Sequence, residues 1–132
     1  SQDGIFRGME FGFTPAEVRG TETTYHLETG EDYITYGMDF NLDENADFDY
    51  FFDKDSTLQK IETVIYFSSD TANERVFKDF IKYYDWKIGD NLQLSPTEYF
   101  WKTPDYSKVK LKTVSRGISN DIIIEFTPAK ED

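Results

Sequence analysis

The sequence contains no cysteine, one histidine and four prolines. It has no long apolar run; the longest stretches resemble Val64-Ile65-Tyr66-Phe67. Without cysteine there are no disulfides, no cysteine-ligated zinc and no thiol nucleophile. Runs this short cannot carry a helix across a bilayer. Basic residues are also scarce, 14 Lys and Arg against 26 Asp and Glu, for a formal net charge of −12. A surface this acidic repels phosphate backbones and anionic membranes, which speaks against a nucleic-acid partner. No Walker motif and no Gly-x-Gly-x-x-Gly occurs, so nothing supports nucleotide binding. Aromatic residues, by contrast, are abundant at 17% of 132 residues, which excludes a disordered chain and fits one domain with a real core.

The charge is uneven. Residues 1–66 carry a net of −11 and residues 67–132 a net of −1. The chain opens on Ser1 rather than Met, which reads as a processed chain whose signal segment has been removed.

Hydrophobic period divides the chain into a helix, strands, a second helix and further strands. Residues 1–12 form a glycine-punctuated lead-in. Thr14-Pro15-Ala16-Glu17 is a helix start, with Thr14 as cap, Pro15 at the first helical position and Glu17 closing a capping box. The helix is short and ends near Gly20. Strands are expected at 23–28, 33–42, about 48–53 and 58–67, the last with a bulge near 58–61. Val76, Phe77, Phe80, Ile81 and Tyr84 recur at helical spacing and predict a helix over 70–85 that opens on a Thr71–Glu74 capping box. Gly89-Asp90-Asn91 reads as a loop. Strands near 97–103, 107–115 and 121–127 follow, with turns at Pro104-Asp105 and at 117–120, then a charged tail over 129–132. The expected fold is α+β: an antiparallel sheet of six to seven strands with two helices on one face, in the order α-βββ(β)-α-βββ. The two helix starts lie 57 positions apart and each precedes a meander, which suggests an internal duplication.

Candidate sites follow from this layout. Tyr33 and Phe51 fall on the polar faces of their strands, and neighbours Phe100 and Trp101 must point opposite ways. Large rings are therefore expected on the sheet face away from the helices, a surface suited to a protein or carbohydrate partner or to a second copy of the chain. Lys108, Lys110 and Lys112 form a basic row on one strand face, which reads either as edge protection or as a site for an acidic partner.

Asp39, Asn41, Asp47 and Asp49 share a face of the first hairpin and are the alternative, a calcium site. The Asp39-x-Asn41-x-Asp43 spacing begins like an EF-hand loop, but Glu44 stands where glycine is needed and Tyr50 where the bidentate Glu should be. A solvated acidic edge is the simpler reading, and no metal or cofactor is expected. His26 lacks the partners of a catalytic base and reads as an ordinary strand residue. Paired carboxylates in a cleft, as glycoside hydrolysis requires, are not suggested by a sheet of this size.

Gly12-Phe13-Thr14-Pro15-Ala16-Glu17-Val18 resembles the helix start of small bacterial envelope lipoproteins, the BamE/SmpA-like proteins and the related β-lactamase-inhibitor-protein-like domains. Residues 48–61, an aromatic strand turning through a polar tip into Leu58-x-x-Ile61, are similar to the hairpin that follows in that group. The lipid-bearing cysteine of the lipoproteins is absent. The resemblance implies a periplasmic, outer-membrane-anchored or secreted α+β module that binds protein and catalyses nothing, and it identifies no binding residue.

Overall fold

The computed structural model describes residues 6–41, 44–102 and 107–128. The expected turns at Asp43 and at Pro104-Asp105, and the tail at 129–132, lie outside these residues. Ten elements follow in order: α1 (Pro15–Thr21), β1 (Tyr25–Thr29), β2 (Tyr33–Asn41), β3 (Glu44–Phe52), β4 (Leu58–Phe67), α2 (Asp70–Lys87), β5 (Leu92–Ser95), β6 (Glu98–Lys102), β7 (Ser107–Arg116) and β8 (Ser119–Pro128). All eight strands pair antiparallel in one sheet ordered β1-β2-β3-β4-β8-β7-β6-β5. Each helix precedes a four-strand meander, and the two meanders join where β4 pairs with β8.

The class is α+β as expected, but the sheet has one strand more. β5 is the addition. Only four residues long, it is too short to display an alternation, and Pro96-Thr97 turns it directly into β6. β3 also begins earlier, at Glu44, because polar Asn45, Asp47 and Asp49 alternate with inward Ala46, Phe48 and Tyr50. α1 carries the expected capping box: the Thr14 hydroxyl accepts from the Glu17 N–H and the Glu17 carboxylate accepts from the Thr14 N–H. α2 does not start as expected. Its cap is Ser69, whose hydroxyl accepts from the Ala72 N–H, two residues before Thr71. The helix also runs on through Trp86 and Lys87. The expected bulge near 58–61 is present, with Phe51 opposite Lys60 and Phe52 opposite Leu58. At the β7–β8 hairpin Gly117 takes φ 69°, the positive value a type II′ turn asks of its first central residue.

Both helices cover the same face. Tyr50 on β3 bonds Glu22, the C-cap of α1, while the Tyr84 ring of α2 lies 6.4 Å from that of Phe126 on β8. The register places Tyr50, Ile61 and Phe126 in one row on that side. The core is the filling of this layer: Ile34, Phe48, Tyr50, Ile61, Ile65, Ile122, Ile124, Phe126, Val109, Leu111 and Trp101 from the sheet, Val18 and Phe77 from the helices, and Met9 from the lead-in. The lead-in is pinned by paired bonds between Gly12, Phe13 and Leu58.

Candidate functional site: the open sheet face

Period two puts every second strand residue on the face away from the helices. Reading the register across the sheet, one row runs Gly37, Asp47, Val64, Ile123, Lys112 and Glu98. The next runs Thr35, Asp49, Glu62, Glu125, Lys110, Phe100 and Leu92. One row further lie Tyr33, Phe51 and Lys60 on the first half and Lys108 and Lys102 on the second. Val64 and Ile123 are buried here, at 8% and 9% exposure, yet they belong to the open face and not to the core cluster.

Three aspartates of the first half each meet a hydroxyl. Asp39 accepts from Tyr25 at 3.0 Å, Asp47 from Tyr66 at 3.1 Å and Asp49 from Thr35 at 2.6 Å. The register staggers them, since Asp47 faces Gly37, Asp49 faces Thr35 and Asp39 faces Asn45. Stagger and hydroxyl donors relieve the like-charge repulsion. Among the described residues no group of three or more His, Asp or Glu is placed to hold a metal ion. The side chain of Asn41, the fourth residue of the alternative calcium set, is outside the described part. Burial raises the Asp49 carboxyl above the usual range, with the Thr35 hydrogen bond pulling the other way. Burial likewise raises Glu62, and burial and Asp47 push Tyr66 up to about 12.

The predicted aromatics divide. Tyr33 and Phe51 are half-buried partners on the open face, their ring centres 6.2 Å apart, with Lys60 Nζ 4.7 Å from the Phe51 ring centre. The Tyr33 hydroxyl donates to Glu28 at 2.7 Å, and its ring lies so close to Gly30 that any β-carbon there would displace it. Phe100 is half-buried on the same face, facing Lys110 and Leu92. Trp101 is a correction: it points to the helix side, is 1% exposed, packs on Tyr84 and Tyr99, and donates its indole N–H to Asp85 at 3.1 Å. One strand cannot show two adjacent rings on one face. Lys108, Lys110 and Lys112 do form a half-buried row on the open face, Lys110 lying 3.6 Å from Glu98.

His26 is an exposed strand residue bonded to Thr29, its ring 5.6 Å from Tyr36.

Sequence reasoning missed two features. Tyr25 and Leu27, 46% and 48% exposed, lie over Gly37 at the β1 margin, and Leu92 is 57% exposed at the β5 margin. Gly37 inside an alternating strand was the available signal for a close approach. Near that margin Arg7, Thr23, Thr24, Tyr25, Gly37, Met38 and Asp39 line an open groove of about 740 Å³. Beside it, the Glu22 side chain is shielded from solvent and bonded by Arg7 at 2.7 and 3.1 Å, by the Tyr50 hydroxyl and by the Thr24 N–H at 3.1 Å. Burial alone would raise its carboxyl, but these donors outweigh it and hold it at about 2.

Charge on the open face is unevenly shared. Glu28, Asp39, Asp47, Asp49 and Glu62 lie on β1–β4 with Lys60, while the lysine row of β7 lies beside Glu98 on β6 and Glu125 on β8. Comparison with protein-family models, with curated proteins and with solved structures found no match to this chain.

Proposed function

We propose that the chain is a non-enzymatic protein-binding module of the bacterial cell envelope or secreted space, docking its partner on the open face of the sheet. One observation carries this reading: eight paired strands present a face that none of the described elements covers, bearing Tyr33, Phe51 and Phe100 beside carboxylates concentrated on β3 and β4 and lysines concentrated on β7. Half-buried rings supply apolar contact area at low entropic cost, and flanking charge steers a partner. The envelope placement rests on the resemblance of Gly12–Val18 and residues 48–61 to envelope lipoproteins. The repeated order of helix and four-strand meander is in keeping with the internal duplication that the spacing of the helix starts suggests.

Photo-crosslinking in the producing cell tests it. Benzoylphenylalanine at Phe51 or Phe100 is expected to yield defined protein adducts, while the same probe at Arg75 or Lys78, exposed on α2, yields none. Adducts confined to the α2 positions, or none at all, would overturn the reading.

A further inference from the structure

Taking the open face as a protein-docking surface, as proposed above, we infer that its occupant is a second copy of this chain. The copies stack face to face about a two-fold axis that runs parallel to the strands between β4 and β8. That line is the middle of the eight-stranded sheet. Rotation about it lays β3 over the second copy's β7, β4 over β8, β2 over β6 and β1 over β5, and keeps each residue in its own row.

The rows then match. Asp47 shares a row with Lys112, and Asp49 shares one with Lys110. Each aspartate of one copy therefore meets a lysine of the other. Phe51 meets Lys108 in the next row, a cation over a ring. At the centre Val64 meets Ile123, the apolar pair already sheltered on this face. At the margins exposed Tyr25 and Leu27 meet the strand that carries exposed Leu92. The axis also brings Glu62 to Glu125. Lys60, 3.8 Å from Glu125 and also favouring the charged form of Glu62, offsets part of this charge.

Charge chooses this axis over its rival. A two-fold running across the strands would set β3 on β3 and hold Asp47 and Asp49 against their own copies, which like-charge repulsion disfavours. Stacked sheets lie about 10 Å apart with strands within about 30° of each other, a gap that lysine and aspartate side chains bridge from opposite sides. Eight strands at about 4.8 Å and about three rows of open-face residues cover roughly 700–800 Å² per copy. A standard interface buries about 800 Å² per partner.

Sedimentation velocity on the whole chain decides it, run at about 0.15 M salt, where long-range repulsion between two acidic chains is screened beyond about 8 Å. The wild type is expected to dimerise as its concentration rises to about 1 mM. Asp47→Lys with Asp49→Lys should weaken the dimer at least about tenfold, a loss of about 1.4 kcal/mol. General repulsion predicts the opposite, because this variant moves the net charge from −12 toward zero. Lys110→Asp with Lys112→Asp should weaken it likewise, and an equimolar mixture of the two variants should dimerise again.

A wild type monomeric throughout, a lysine variant that associates as well as wild type, or a mixture that stays monomeric overturns the second copy as occupant. If the variants do not fold, carbodiimide coupling of mixed isotope-labelled and unlabelled wild type replaces them. Links between copies joining Asp49 to Lys110 support the dimer, and their absence overturns it. A monomeric wild type whose Phe51 and Phe100 probes still capture another protein would leave the docking reading standing without the dimer. Failure of both experiments removes both.

Discussion

Glu22 is a charge held from three parts of the fold. Its carboxylate ties Arg7 of the lead-in, the end of α1 and Tyr50 of β3 into one contact. Its folded value, about 2, lies below the ordinary 4.5. A depressed carboxyl contributes stability that is fully present above its unfolded value and is lost as pH falls through the folded one. Glu22→Gln should therefore cost about 1–3 kcal/mol near pH 7, as the loss of a charge-assisted buried network. The gap between wild type and variant should close between about pH 4.5 and pH 2. Urea melts of both proteins across that range measure it; a gap independent of pH would show that the charge is not what holds the network. Asp49 and Glu62 act in the opposite sense, since burial raises them and their protonation favours the fold. The difference between variants isolates Glu22 from them.

At the scale of elements, α2 supplies two contrasts. Its cap is Ser69 and not Thr71. Ser69→Ala should cost about 1 kcal/mol and Thr71→Ala only a few tenths, because only the first removes a hydroxyl that accepts a helix N–H. Equal losses in thermal melts would return the cap to Thr71. The apolar stripe is not uniform either. Phe77 is buried at 8% exposure while Phe80 packs against the core from a half-exposed position. Phe77→Ala should cost about 3–5 kcal/mol and Phe80→Ala clearly less, in proportion to the area each removes from water. Denaturant melts that reverse this order would mean the helix is rotated on the sheet.

For the whole molecule, the two meanders share one core and join through β4 and β8, whose paired residues lie far apart in sequence, Ile61 with Phe126 and Ile65 with Ile122. Neither half can bury its helix-side face without the other. Unfolding should therefore be one cooperative transition. Both tryptophans, Trp86 and Trp101, report on the second half. Their fluorescence should change together with the loss of amide-exchange protection in β2 and β3 of the first half. A separate earlier transition in either half would show two independently stable units.

Local chemistry by itself determined much of this protein. The Thr14–Glu17 box, the α2 stripe, the alternation of β2 and the facing of Tyr33 and Phe51 are all short-range, set by residues within one or two turns or pairings of one another. The same alternation implied that only one of Phe100 and Trp101 could face outward, but not which, because that depends on where α2 lies. β5 was illegible because four residues carry no period and its strand character comes from pairing with β6. The pairing of β4 with β8, which sets acidic β1–β4 and the lysine row of β7 on opposite sides of one continuous face, was decided only by tertiary structure. It joins residues some sixty positions apart, and no local pattern records which strands will meet; the choice falls to the arrangement that buries both helix-side faces in a single core.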